Sequence, residues 1–88
     1  MNKKRFEEIM NHDGTVNGLY DLKDDNACVG LQIIRKYCPQ KGIQSSEHDV
    51  VYSVSVDEII STGITEGDAA QLRQLGWMIE EDYLAKFV

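Results

Sequence analysis

The chain has 88 residues, 42% of them hydrophobic, with nine basic and fifteen acidic side chains for a formal charge of −6. That length supports one domain with its own core, above the roughly 40-residue floor at which chains depend on disulfides or metals. No stretch approaches the roughly 18 apolar residues of a membrane-spanning helix. Lys3, Lys4 and Arg5 are followed by Glu7 and Glu8 and not by the apolar run of a secretory leader, so the expected compartment is the cytoplasm, with no membrane partner.

Along the chain, Phe6, Ile9 and Met10 fall at helical spacing and predict a first helix over Lys3 to Asn11. Asp13-Gly14 and Asn17-Gly18 then mark turns. A second helix is expected over Asn26 to Tyr37, capped by Asp24 or Asp25 and stopped by Pro39, with Ala27, Leu31 and Ile34 as its apolar stripe. Cys28 and Cys38 would then lie about 15 Å apart along that helix, too far for a disulfide. With His12 and His48 they match no zinc spacing, and no cofactor is expected.

The polar stretch Gln40 to His48 reads as a loop, and Asp49 to Val56 as the best strand. There Val50, Tyr52, Val54 and Val56 alternate with Asp49, Val51, Ser53 and Ser55. Asp57 would cap a helical turn ending at Gly63. Thr65 would cap the next helix, with Asp68 reaching back in a capping box and Gly76 as the left-handed exit. Trp77 to Ile79 and Tyr83 to Val88 complete a hairpin across Glu80-Glu81-Asp82, a turn without Asn-Gly and so expected to be longer than two residues. The fold expected is α+β: one domain over residues 1–88, a small three-stranded antiparallel sheet with helices packed on one face. An uncovered edge strand would favour a homodimer.

Charge is unevenly divided. Met1 to Ser46 carries seven bases and six acids, whereas Glu47 to Val88 carries two bases and nine acids, a net −7. Such a surface repels nucleic-acid phosphate, and the two short helices joined at Gly63 place Glu66 and Asp68 where a DNA-reading helix needs bases. It attracts basic protein patches instead. The expected partner-binding residues are therefore Glu47, Asp49, Asp57, Glu58, Glu66, Asp68, Glu80, Glu81 and Asp82, with the hairpin aromatics Trp77, Tyr83 and Phe87 as anchors. Core packing is the commoner role for such aromatics and is the alternative for these three.

Two chemical alternatives compete with docking. Laid on a calcium-loop pattern, Asp13, Thr15, Asn17, Leu19 (through its carbonyl), Asp21 and Asp24 fall at ligand positions with Gly18 at the turn glycine. Thr15, and Asp24 in place of a bidentate Glu, depart from the pattern, and the same residues serve as ordinary turn and cap groups. A catalytic His48 would need an orienting carboxylate, but Glu47 and Asp49 are its sequence neighbours and point to other faces of a strand. No nucleophile elbow or phosphate loop accompanies it, so no enzyme is expected.

From His48 to Val88, with Leu75-Gly76-Trp77 and Phe87-Val88 as its marks, the chain resembles small uncharacterised acidic proteins of phages, prophages and other bacterial mobile elements. Those chains end in a helix, Leu-Gly-Trp or Leu-Asn-Trp, an acidic turn and a strand closing in Phe-Val. The resemblance implies a protein that acts by binding a host protein, including surfaces built for nucleic acid. It implies no site residue.

Overall fold

The computed structural model describes residues 1–11 and 23–87, with side chains from Asn26 onward in the second stretch. Its elements are α1 (Lys3–Met10), α2 (Lys23–Tyr37), β1 (Ser45–Glu47), β2 (Val50–Ser55), α3 (Val56–Ser61), α4 (Glu66–Gln74), β3 (Met78–Glu80) and β4 (Tyr83–Phe87). The strands pair antiparallel in the order β1-β2-β4-β3. The fold is α+β as expected, but the open sheet has four strands among the described residues and not three. The additional strand, β1, lies in the polar stretch read as a loop. All three of its residues are exposed, so it carries no apolar alternation; backbone pairing of Ser45 with Tyr52 and Glu47 with Val50 makes it a strand.

Local capping explains the helix ends. Asn2 caps α1, its side chain accepting from the Arg5 N–H at 2.8 Å. At α3 the cap is Ser55, not Asp57: Ser55 and Glu58 form a reciprocal capping box, so β2 turns into the helix without a loop. The backbone of α2 starts at Lys23, which puts Asp24 and Asp25 inside its first turn and not at the cap. At α4 the Thr65 hydroxyl accepts from the Asp68 N–H at 3.1 Å. Its far end is a Schellman motif, with Gly76 at φ +91°, Trp77 N–H donating to the Leu72 carbonyl and Gly76 N–H to the Arg73 carbonyl.

Buried residues of all four helices join one cluster with Val54 and Leu84: Phe6 and Met10 from α1, Ile34 from α2, Val56 and Ile59 from α3, Ala69 and Leu72 from α4. Of the two readings of Trp77, exposed anchor or core packing, the second holds: it is 1% exposed in that core. Its indole lies against Gly30 of α2, and its Nε1–H points to the Asn26 carbonyl at 3.4 Å. The buried stripe of α2 thus runs through Ala27, Gly30 and Ile34 and continues to Cys38 just past its end, with Leu31 half-buried beside it. Glycine is required because a Cβ at position 30 would sit 1.8 Å from Trp77 Nε1.

The sheet departs most from the expected alternation inside β2. Tyr52 pairs with Ala85 and Ser55 with Tyr83, so Ser53 and Val54 together oppose the single residue Leu84. This bulge shifts the phase of the strand. Val54 and Val56 turn to the core as expected, but Val50 and Tyr52 pair with Phe87 and Ala85 on the opposite face. Ser53 is buried at the bulge, its hydroxyl donating to the Gly42 carbonyl at 2.7 Å.

The β3–β4 turn is tighter than expected. Glu80 pairs with Tyr83, leaving only Glu81 and Asp82 in the loop, at φ +52° and +66°. Two positive φ values are what a type I′ hairpin turn requires, and here non-glycine residues adopt them. The turn also serves α3, because the Asp82 carbonyl accepts from the Val56 N–H at 2.9 Å.

Two expectations follow for stability. Gly30→Ala forces the indole from its seat and should cost about 1–3 kcal/mol in urea unfolding; an unchanged midpoint would mean that the Trp77 seat is not as described. Asp82→Gly relieves a left-handed residue while keeping its carbonyl, and should raise stability by about 1 kcal/mol. A melting temperature that falls in that variant contradicts the turn geometry.

Candidate docking face on the sheet

The nine expected acids divide into two groups. Asp57 lies 3.6 Å from Lys3, Glu58 lies 3.2 Å from Lys41, and Asp68 lies 3.0 Å from Lys36. Glu66 takes both Nε and an NH2 group of Arg5, at 2.9 and 2.7 Å. Bases from the first half of the chain thus sit on the acids of α3 and α4. Lys36 and Tyr37 both bond the Asp68 carboxylate, which therefore ties α4 to α2 and does not close a capping box with Thr65.

These contacts shift the acids as expected for paired groups. The Tyr37 hydroxyl and then the Lys36 ammonium hold Asp68 below the usual carboxylate range. The Arg5 guanidinium does the same for Glu66, and Lys41 followed by the Ser55 backbone N–H for Glu58.

Glu47, Asp49, Glu80, Glu81 and Asp82 form no ion pair among the described residues. Their positions follow from the register. Tyr83, Ala85 and Phe87 alternate to the side of β4 away from Leu84, and directly paired residues share a face. That face carries Ser45, Tyr52, Ala85 and Met78 in one row, Glu47, Val50 and Phe87 in the next, and Ser55, Tyr83 and Glu80 in a third. Tyr83 is 44% and Phe87 55% exposed, whereas the small Ala85 between them is fully covered. Glu47 on β1 and Glu80 on β3 lie at the two edges, so an aromatic strip is flanked by carboxylates. Lys86, the base nearest in sequence, falls on the opposite face, across from Val51, and is buried.

A cleft of about 470 Å³ opens at one end of this face, lined by Lys41, Gln44, Ser45, Glu47, Tyr52, Glu58, Glu81 and Tyr83. Burial, then the negative charge of Glu81, Glu47 and Glu80, holds the Tyr52 phenol above its ordinary range.

The remaining candidates fall elsewhere. His48 is exposed in the two-residue turn between β1 and β2, at φ +54°, and no hydrogen bond joins it to Glu47 or Asp49. Cys28 is an exposed free thiol and Cys38 a buried one. The calcium-loop expectation falls on Asp13, Thr15, Asn17, Leu19, Asp21 and Asp24, whose side chains, like that of His12, lie outside the described residues. Among the described residues no cluster of metal-ligating side chains occurs, and no helix is long and apolar enough to cross a membrane.

Sequence reasoning named Phe87 with Tyr83 as an exposed hairpin aromatic but missed Tyr52 as a surface residue. Tyr52 was assigned to the core by an alternation that the bulge breaks. Comparison with known proteins finds no matching family model, curated protein or solved structure.

Asp68 offers a pH test. Its carboxylate is stabilised in the folded state, so the contribution is complete above the unfolded carboxylate value of about 3.9 and is lost as pH falls through the lower folded value. Asp68→Asn should cost about 1–3 kcal/mol at neutral pH. That difference from the parent protein should shrink below pH about 4; a difference that persists unchanged into acid would show that the charge on Asp68 is not what holds α2 to α4.

Proposed function

We propose that this protein is a non-enzymatic, cytoplasmic interaction module that docks a basic surface of another protein on the open face of its sheet. The single observation that carries this reading is the exposed strip of Tyr83 and Phe87, with Tyr52 half-buried beside it, flanked by Glu47, Glu80 and Glu81 without a neutralising base. Exposed aromatic groups supply contact area at low entropic cost, and unpaired carboxylates supply steering and choice of sign. The acids already bridged to Lys3, Arg5, Lys36 and Lys41 contribute less, because much of their field is cancelled locally.

A basic partner is favoured over a second copy of the chain. Face-to-face self-association would bring Glu47, Glu80 and Glu81 of two copies together, like charges on desolvated ground. Direct nucleic-acid binding is disfavoured for the same reason. A partner surface that itself binds nucleic acid would fit, consistent with an inhibitor or mimic of the kind found among proteins of bacterial mobile elements.

The test uses a fluorescent dodecapeptide of alternating arginine and serine. Binding should weaken by at least tenfold, about 1.4 kcal/mol, between about 0.01 and about 0.15 M salt, where the Debye length falls from about 30 to about 8 Å. Phe87→Ala should weaken it further without lowering the melting temperature, since the ring is exposed. Binding that ignores both salt and Phe87, or no binding at low salt, overturns the assignment.

A further inference from the structure

We infer that the cleft between Tyr52 and Tyr83 is a subsite for the guanidinium group of an arginine side chain presented by the basic partner. The inference rests on the open sheet face being the docking surface, and adds to it the chemical group that is read there.

The lining contains one base, Lys41, and it is bridged to Glu58 at 3.2 Å. That pair cancels, leaving Glu47 and Glu81 as the uncompensated charges of the cleft. They come from separate elements, β1 and the β3–β4 turn. A ligand that satisfies both must offer donors in more than one direction. Tyr52 on β2 and Tyr83 on β4 add two aromatic rings to the lining, and ring faces attract cations.

A planar cation with five N–H donors in a fixed fork presents donors in several directions and a flat face to the rings, whereas an ammonium offers a compact charge with a stronger hold on its water. The volume, about 470 Å³, lies within the range of built ligand pockets, and it accommodates a side chain together with the backbone on either side of it. Gln44 and Ser45 supply neutral polar groups on the β1 side for that backbone. Burial and then the charge of Glu81 and Glu47, which together raise the Tyr52 phenol, act at this same cleft.

The experiment is an NMR titration of the full chain with three capped tripeptides, serine flanking arginine, lysine or citrulline. Citrulline keeps the shape of arginine and removes its charge. With the arginine peptide, shifts should concentrate on Tyr52, Tyr83, Glu47 and Glu81. Citrulline should bind at least tenfold more weakly, and lysine more weakly than arginine. Glu81→Gln and Tyr83→Leu should each reduce arginine affinity severalfold, with the amide spectrum showing that the sheet is intact. Shifts confined to Val50 and Phe87 would overturn the subsite while leaving the docking face standing. No shift anywhere would remove both. Citrulline or lysine matching arginine would overturn the guanidinium assignment.

Discussion

The β-bulge between Tyr52 and Ser55 lets six residues of one strand serve two surfaces. Before it, Val50 and Tyr52 face outward beside Phe87 and Ala85; after it, Val54 and then Val56 enter the core, and Ser55 is released to cap α3. A regular strand would have placed all four apolar residues on one side and left the outer face small and polar. The extra residue is accommodated by burying Ser53 with its hydroxyl satisfied by the Gly42 carbonyl, which avoids the cost of an orphaned polar group. The aromatic strip on the sheet is thus a consequence of backbone register, and the core beneath it is closed independently by Trp77 seated on Gly30.

Charge is distributed by the same fold. The first half of the chain supplies Lys3, Arg5, Lys36 and Lys41, and folding brings them to the acids of α3 and α4. Exposed bridges of this kind contribute little to stability individually. Their larger effect is to reduce the share of those acids in the outward field, leaving Glu47, Asp49, Glu80, Glu81 and Asp82 as the unpaired acids of the second half among the described residues. The net charge of −6 therefore says less about binding than the list of acids left over.

The parts of the fold written locally were legible. Thr65 and Gly76 bound α4 as expected because caps depend on residues a few positions apart, and the spacing that predicted a helix over Lys3 to Asn11 gives α1, though its Asn2 cap was not foreseen. Three features were not legible, each for a tertiary reason. Ser45 to Glu47 is a strand only because β2 lies beside it. The alternation from Val50 to Val56 carries no mark of the bulge, which becomes defined only against Leu84. Glu81-Asp82 lacks the glycine of a tight turn, and the pairing of Glu80 with Tyr83 imposes positive φ on both. At the candidate site, Glu47, Glu80, Glu81, Tyr83 and Phe87 were named from charge and composition, together with acids that fold elsewhere. Which acids stay unpaired was not, because Arg5 and Glu66 are 61 positions apart.

The most direct measurement compares two variants of equal charge change against the arginine–serine dodecapeptide at low salt. One carries Glu47→Gln, Glu80→Gln and Glu81→Gln, all on or beside the sheet face. The other carries Glu8→Gln, Asp57→Asn and Glu66→Gln, all exposed and bridged to Lys3 or Arg5. The expected result is that the first variant loses at least tenfold in affinity while the second binds nearly as the parent protein does. Equal losses in the two would contradict the claim that docking depends on the unpaired acids of the sheet, and would leave only the total charge.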